Sequence, residues 1–237
     1  MRFATTRWSM VLAAGAGPSE RADRALSVLC AAYWHPLYAY VRRRGYDPDD
    51  ACDLTQAFFA RLIERRRLAA ANPVRGRFRS FLLTSMKNFL ASEWRRESAA
   101  KRGGGADVVS IDATDAEGRY RVDPADNRTP EAEYERRWAL ALIGRAVDDV
   151  RRVYADRGQV ELFDALKAYL AADIGDVPYD ELSRRLDRSE AALRTALSRL
   201  RARWRTRLRE VVAETVHEQR LVDDELAHFV RALAPPP

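Results

Sequence analysis

Apolar residues recur at intervals of three and four along nearly the whole chain, and this spacing most constrains the fold. Ala51, Leu54, Phe58 and Leu62, for example, fall at positions i, i+3, i+7 and i+11. No run of alternating polar and apolar residues between turn signals predicts a strand. Hydrophobic residues make up 47% of the 237 residues, which is enough for packed cores. The sequence therefore predicts an all-α fold.

Turn and capping signals divide the first half of the chain into four predicted helices. Ser19 has the residue type of a helix N-cap, and Pro36 is expected to start a second helix. The run 47–50, with aspartates around a proline, predicts the start of a third helix. A fourth is predicted over 79–102. We expect the four helices, spanning roughly 20–100, to form one bundle.

The segment 103–135 has the composition of a linker. It begins with three glycines, contains Pro124 and Pro130, and carries nine acids and three arginines between residues 107 and 135, a net charge of −6. Helical spacing resumes at Arg136, and a further helix is predicted over 160–171. The predicted plan is two small helical domains, 5–102 and 136–209, an acidic linker, 103–135, and a helical tail, 210–237.

The stretch from Glu181 to Arg209 has the pattern of a helix-turn-helix. A short helix ends at Leu186, Asp187 has a side chain that tolerates the left-handed turn conformation, and Ser189 is a good N-cap. The longer helix has a predicted core stripe of Leu193, Leu197, Leu200, Trp204 and Leu208. Its opposite face carries only small residues, namely Thr195, Ser198, Ala202 and Thr206. Such a face fits the major groove, with flanking arginines reaching phosphates or guanine edges.

Charge in this longer helix favours an anionic partner. Residues 188–209 contain eight arginines and one acid, which leaves the segment at +7. A solvated helix usually mixes the two signs of charge. The alternative interpretation is a basic surface without a nucleic-acid role. Arg205, Arg207 and Arg209 lie beyond the reach of a recognition helix, and the sequence leaves them as phosphate contacts or as anchors for the acidic tail.

A second basic segment lies between Arg75 and Arg102, with eight basic residues and two acids. Its interleaved aromatics, including Phe89 and Trp94, suit the stacking of single-stranded bases. The alternative is that these aromatics are core residues, and this is the expectation for Phe89 and for Trp94. Two interpretations stay open for Asn88: an exposed residue that reads a base, and a polar residue that is only solvated.

Several function classes are disfavoured by the sequence. The two cysteines, Cys30 and Cys52, and the three histidines are scattered, so neither a zinc site nor a disulfide is expected, and both thiols are predicted to be buried and free. No nucleotide loop, catalytic triad or metal cluster is found, so we expect no catalysis and no cofactor. The apolar run 10–14 is too short for a signal peptide, and no membrane span is predicted. The expected compartment is the cytoplasm.

Three segments in order resemble the extracytoplasmic-function type of bacterial RNA polymerase sigma factor. They are "DPDDACDLTQAFFARL" (47–62), "FRSFLLTSMKNFLASEWRR" (78–96) and "YDELSRRLDRSEAALRTALSRLR" (179–201). The first is similar to the polymerase-binding helix of the family, the second to its promoter-melting helix and the third to its −35-reading helix-turn-helix. The opening "TTRWSMVLAAG" and the tail resemble a subgroup with a C-terminal extension.

The resemblance implies a promoter-specificity subunit that binds core RNA polymerase and promoter DNA. Contacts to the β′ clamp helices would come from Asp50, Asp53, Gln56, Phe58, Arg61 and Leu62. Contacts to the −10 element would come from Phe81, Lys87, Asn88, Trp94, Arg95 and Arg96. Contacts to the −35 element would come from Ser189, Glu190, Arg194, Thr195, Ser198, Arg199, Arg201 and Arg203. The polymerase β flap is a further implied partner, and an anti-sigma factor or another regulator is a candidate one.

Three departures from the family pattern limit what can be transferred. Asp187 replaces the usual turn glycine, Phe81 stands where many members have tryptophan, and Ala196 stands where many have a basic residue. The −35 sequence therefore cannot be carried over. The alternative function is a stand-alone helix-turn-helix regulator that binds duplex operators as a dimer, and a third is a protein–protein adaptor with arginine-rich surfaces.

Three roles stay open for the tail. It is expected to contain two helical sections broken near residues 222–224, with Asp223 or Asp224 capping the second. The acids of the tail follow the arginine-rich helix, so one hypothesis is that the tail docks on that helix and masks it. The two other roles that stay open for the tail are an element that stabilises the fold and a binding site for a partner.

Overall fold

A computed structural model describes residues 19–64, 77–100, 127–171, 177–216 and 218–235. Within these ranges every regular element is helical, which confirms the all-α prediction. The eight α-helices are α1 (Glu20–Arg43), α2 (Pro48–Glu64), α3 (Phe78–Ala100), α4 (Pro130–Ala155), α5 (Val160–Leu166), α6 (Tyr179–Leu186), α7 (Glu190–Ala213) and α8 (Val222–Leu233). Short 3₁₀ helices span Lys167–Tyr169 and Gln219–Leu221. Of the described helices, none holds an 18-residue stretch apolar enough to cross a membrane.

The chain divides into two compact units. The first unit is Met1–Leu140 together with Ala213–Pro237, and the second unit is Ala141–Val212. The tail residues are therefore grouped with the N-terminal part of the chain. The functional boundaries at 102, 135 and 209 stay predictions, because compactness alone does not test them. Most of the predicted linker and all of the opening segment lie outside the described residues.

The first unit is built on α1, α2 and α3. Asp47 caps α2, since its Oδ1 accepts a hydrogen bond of 2.8 Å from the backbone N–H of Asp50. The ring of Tyr33 on α1 meets that of Phe78 on α3 edge-on at 5.4 Å, and Phe58 on α2 meets Phe89 on α3 at 5.8 Å. These aromatic pairs join both earlier helices to α3.

The predicted helix start at Pro36 is wrong. Pro36 lies inside α1, which continues to Arg43. Proline lacks the N–H that would bond one turn back, so it weakens a helix interior. Here Tyr33, Leu37 and Tyr38 are all buried around it, and this burial outweighs the lost hydrogen bond. One long helix therefore replaces the two predicted ones.

Other boundaries and environments also differ from the sequence-based expectation. Helix α4 begins at Pro130, not at Arg136, because Thr129 Oγ1 accepts a hydrogen bond from the N–H of Ala132 and so caps it. Helix α5 ends at Leu166, where a 3₁₀ turn takes over. Cys52 is buried as predicted, but Cys30 is only half-buried. Burial raises the pKa of both thiols.

The tail is also organised differently from the expectation. Its break lies before Val222, where the 3₁₀ helix Gln219–Leu221 precedes α8. Asp223 and Asp224 stand inside the first turn of α8 and do not cap it, since the N-cap position is Leu221. Their carboxylates are placed where the positive end of the helix dipole favours them.

The second unit packs α5, α6 and α7 around one apolar cluster. The predicted stripe of α7 is confirmed over four of its five residues: Leu193, Leu197 and Leu200 are buried, and Trp204 packs against the same cluster. The fifth, Leu208, is half-buried. The face of α4 predicted to be apolar is also buried, from Trp138 in the first unit to Val150 in the second. Burial of these side chains, at about 25 cal/mol per Å² of apolar surface, is the main stabilising term.

The turn between α6 and α7 depends on one residue in the left-handed conformation. Asp187 has φ 49° and ψ 49°, as its residue type predicts. Its N–H donates to the carbonyl of Ser183, and the next N–H, of Arg188, donates to the same oxygen at 3.2 Å. The left-handed conformation of Asp187 thus brings the following N–H, of Arg188, back to the end of α6 as a second donor.

We expect Asp187→Ala to lower the free energy of unfolding by roughly 1 kcal/mol, because alanine adopts a positive φ less readily than aspartate does. Asp187→Gly should cost clearly less, since glycine adopts this conformation without a steric penalty. Thermal denaturation followed by circular dichroism measures both variants. Equal destabilisation by the two substitutions would contradict a backbone origin.

Candidate nucleic-acid interface

Helix α3 separates an apolar inner face from a basic outer face. Its buried apolar side chains are Phe78, Leu82, Met86, Phe89 and Leu90, at helical spacing. The residues predicted to contact the −10 element that lie on the outer face are Lys87, Asn88, Trp94, Arg95 and Arg96. Phe81 is half-buried and stacks on Phe78, with ring centroids 6.0 Å apart and 22° between the planes. The ring of Phe81 therefore packs at the start of α3, and less of its face is left to stack on a base.

The core assignment is confirmed for Phe89 and wrong for Trp94. Phe89 is 6% exposed, whereas Trp94 is 65% exposed. The inward position is taken by the preceding residue, Glu93, which is 8% exposed. Its carboxylate accepts from Arg61 of α2 at 3.0 Å and from Arg96 at 2.7 Å, so the buried charge is compensated. This inward acid turns the indole of Trp94 to the surface.

A groove of about 680 Å³ lies between the end of α1 and the second half of α3. We call it the α1–α3 groove. Its cations are Arg44, Lys87 and Arg95, and its aromatic rings are Tyr40, Tyr46 and Trp94. A surface that pairs cations with exposed rings suits single-stranded nucleic acid, since rings stack on bases while cations meet phosphates. The sequence predicted nucleic-acid contacts for Lys87, Trp94 and Arg95. It did not predict them for the other three lining residues just named.

Tyr40 lines the α1–α3 groove with its side chain, which carries a polar hydroxyl. The residue is fully buried, and its hydroxyl forms no hydrogen bond of normal geometry among the described residues. Burial raises the pKa of Tyr40, so the hydroxyl keeps its proton at neutral pH. The hydroxyl interacts with Arg44, which opposes part of the effect of burial on its pKa, and it can also donate to or accept from a group that enters the groove.

One acid opposes the cations of the groove. Glu131, in the first turn of α4, places Oε1 2.7 Å from Nζ of Lys87. The hydrogen bond from Lys87 lowers the pKa of Glu131. Both side chains are about two-fifths exposed, at 43% and 41%, so the pair contributes on the order of 0–1 kcal/mol. An incoming phosphate can therefore displace the carboxylate at little cost.

The polymerase-contact candidates on α2 fall into an outer and an inner group. Asp50 is exposed, and Asp53 and Gln56 are half-exposed beside it. Phe58 and Leu62 are buried, at 3% and 4% exposure, so they act through packing. The sixth candidate, Arg61, pairs with the inward acid of α3 and lies 5.7 Å from the centroid of a buried α3 ring. Only the outer group presents a surface to a partner.

Gln56 is also tied to its own helix. Its Nε2 donates to the sulfur of Cys52 at 3.2 Å, one turn earlier. The predicted position at an external surface is compatible with this bond, because the side chain remains half-exposed. Acceptors in the outer group of α2 are the amide oxygen of Gln56, the carboxylate of Asp50 and that of Asp53, whose Oδ1 is buried.

Helix α7 presents the small-residue face that the sequence predicts. Ser189 caps it, accepting from the N–H of Ala192 at 3.3 Å. Thr195, Ser198, Ala202 and Thr206 are all exposed along one side. The hydroxyls of Thr195 and Thr206 donate to carbonyls one turn back, at 3.0 and 3.1 Å. The face is therefore smooth, and a helix with such a face can approach a groove closely.

The arginines that flank this face do not behave alike. The exposed ones among the predicted DNA contacts are Arg194 and Arg199. Arg194 lies over the ring of Tyr179 at 4.1 Å and 3.6 Å from the carboxylate of Glu190. The remaining two predicted contacts, Arg201 and Arg203, are half-buried.

Arg201 donates twice to the carbonyl of Tyr169, at 3.2 and 2.8 Å, and Arg203 lies 5.7 Å from the ring of Tyr154. Arg207 pairs with Asp149 at 2.7 Å. These three side chains hold α7 to α4 and to the 3₁₀ helix Lys167–Tyr169 within the second unit. The arginine-rich helix is therefore partly structural, and its outward cations are fewer than its sequence indicates.

Comparison with known proteins gives one family match. Residues 29–100 match the model of sigma-70 region 2, a range that covers most of α1, all of α2 and all of α3. The match covers less than half of the 237 residues and shows that this part of the chain is similar to region 2 of sigma-70 factors. No curated protein and no solved structure matches the chain significantly.

We expect Glu131→Gln to raise the affinity for a short single-stranded DNA about two- to fivefold, because Lys87 loses its competing carboxylate. Fluorescence anisotropy with a labelled oligonucleotide at fixed ionic strength measures the change. Glu161→Gln is the matched control, since it removes the same charge from an exposed position in the second unit. An equal gain in both variants would show a general charge effect and contradict a local one.

Proposed function

We propose that this protein is a promoter-specificity subunit of bacterial RNA polymerase, a sigma factor of the extracytoplasmic-function type with a C-terminal extension. It binds core polymerase, recognises promoters and opens DNA, and performs no catalysis of its own. The α1–α3 groove carries this proposal, because it joins the exposed indole of Trp94 to three cations inside the range that matches sigma-70 region 2. The groove has the chemistry needed to hold bases that have left the duplex.

We further propose a division of labour along the chain. The outer residues of α2, Asp50, Asp53 and Gln56, bind the β′ clamp helices, and the outer face of α3 engages the −10 element. The small-residue face of α7 reads the −35 element, flanked by Arg194 and Arg199. Support for the last role is the smooth exposed face and its outward cations. The β flap is the proposed polymerase partner of the second unit.

Reconstitution tests the proposed function directly. The purified chain is mixed with core polymerase on a pool of promoter fragments, and the 5′ ends of the transcripts are sequenced. We expect a stable complex and start sites that share a common upstream sequence. A chain that fails to associate with core polymerase, yet binds duplex operators as a dimer, would instead support a stand-alone regulator.

Trp94→Ala should weaken single-stranded DNA binding by roughly 5- to 100-fold, the range expected from losing one base–aromatic stack. Binding to core polymerase should not change. Val230→Ala is the control, because Val230 is 64% exposed, close to the 65% of Trp94, and does not line the groove. Oligonucleotide titrations with the free protein give the affinities. Retained affinity in Trp94→Ala would remove the groove from the proposal.

The double variant Asp53→Ala, Gln56→Ala should reduce affinity for core polymerase at least about tenfold, since a few central contacts dominate an interface. Its single-stranded DNA binding should equal that of the unmodified chain. Co-migration with core polymerase in size-exclusion chromatography measures the first quantity. Glu161→Ala, an exposed acid outside α2, serves as the control. A parallel loss of polymerase and DNA binding would point to misfolding and refute the assignment.

A further inference from the structure

The start of α3 carries an unusual charge arrangement for a helix. Its first turn contains no acidic residue, and Arg77 and Arg79 stand at its N-terminal end. The N-terminus of a helix has partial positive charge, so two cations there are unfavourable without a counter-charge. Arg79 is moreover only 3% exposed, so water does not solvate it. The compensating acids must come from other elements.

The C-terminal helix supplies one of them. Glu225 of α8 is fully buried, with 0% exposure. Its Oε1 pairs with the guanidinium of Arg79, and its Oε2 lies 2.7 Å from Nε of Arg77. The hydroxyl of Thr215 lies 3.3 Å from the same Oε1. One carboxylate therefore bridges both arginines at the start of α3.

Helix α4 completes the network. Arg79 Nε donates to Glu135 at 2.8 Å, and the guanidinium lies 4.5 Å from the centroid of the Trp138 ring. The hydroxyl of Tyr134 donates to the carbonyl oxygen of Arg79 at 3.0 Å. On the other side, His228 of α8 lies 2.9 Å from Glu135. Arg79 thus pairs with one acid of the tail, Glu225, and one acid of α4, Glu135.

Apolar contacts fix α8 in the same place. Phe229 is 4% exposed and meets the ring of Trp138 edge-on at 6.5 Å, while Val222 and Val216 are buried at 1% and 2%. A helix held by buried rings and by a buried ion pair is part of the unit's core. Glu225, the fully buried acid of the tail, pairs with arginines of the first unit. This arrangement does not support the hypothesis that the tail masks the arginine-rich helix.

We propose that Glu225 is a positioning residue for promoter opening. By bridging Arg77 and Arg79 it fixes the first turns of α3, and so sets the orientation of the outer face that carries Lys87, Trp94 and Arg95. The C-terminal helix is therefore required for the activity of the first unit. This inference rests on the proposed function for its consequence in transcription, but its structural part can be tested without polymerase.

The test compares Glu225→Gln with Asp224→Asn. The two variants remove the same charge from neighbouring residues of α8, but Asp224 is exposed. In the free protein, hydrogen exchange of the amides in the first turns of α3 should be faster by roughly a hundredfold in Glu225→Gln, the change expected from leaving buried charges uncompensated. Amides of α2 should change little, and Asp224→Asn should behave like the unmodified chain. Equal protection of α3 in both variants would overturn the inference whether or not the protein is a sigma factor.

The second measurement follows promoter opening by the fluorescence of a base analogue placed in the −10 element. At a temperature where the variant is fully folded by circular dichroism, Glu225→Gln should open DNA about tenfold less, with core affinity changed less than about twofold. A merely destabilising change would lower both in proportion. If Glu225→Gln does not fold, Arg77→Gln removes only the outer arm of the network and should show the same pattern more weakly. Failure of the unmodified chain to bind polymerase would refute the proposed function alone.

Removal of residues 213–237 separates the positioning role from inhibition. We expect the truncated chain to lose protection in α3 and to lose promoter opening. Increased transcription by the truncated chain would overturn the inference and establish an inhibitory tail.

Discussion

The first unit depends on the ion pairs that the buried guanidinium of Arg79 forms with Glu135 and Glu225. A charge removed from water is tolerated only when partners replace its hydration, and here two carboxylates and an aromatic face do so. The partners come from α4 and α8, which are far from α3 in sequence. The ion pairs therefore specify which helices must be assembled before α3 is stable. Apolar burial supplies most of the free energy, and the charges select the arrangement.

A second buried acid has a comparable effect at the other end of α3. Glu93 faces inward because Arg61 and Arg96 both reach it, and the next residue, Trp94, faces outward as a result. The same contact holds Arg61 against α3, whereas Arg96 remains on the outer face. Helix α3 is thus held by acids near both ends, and its apolar residues fill the length between them.

The periodic features of the fold follow from the sequence, because burial of an apolar stripe acts on each helix separately. The faces of α2, α4 and α7, the cap at Ser189 and the left-handed turn at Asp187 are all local properties of this kind. Pro36 shows where local reasoning fails, since tertiary burial outweighs the missing hydrogen bond. The start of α4 was missed because the composition of 130–135 resembles the linker before it.

The site could be predicted only in part, for a related reason. Exposed cations such as Lys87 and Arg95 are recognised from composition and helix phase. Tyr40, Arg44 and Tyr46 were not, because they precede α2 in sequence and reach the groove only through packing. The inward turn of Arg201 and Arg203 likewise depends on a carbonyl and a ring in other helices. Glu225 looked like one acid among several in the tail, and only its burial distinguishes it.

The pair between Lys87 and Glu131 has a consequence for how ionic strength acts on this surface. A lysine that is free in solution gathers anions and contributes to the release of ions when it meets a nucleic-acid phosphate. Under the proposed function, Lys87 exchanges one oxyanion for another when it meets a phosphate, and the carboxylate that it leaves attracts a cation from the solvent. That uptake opposes the release of cations from the nucleic acid. The proposal therefore implies that binding through Lys87 depends less steeply on salt than a count of the groove's cations suggests.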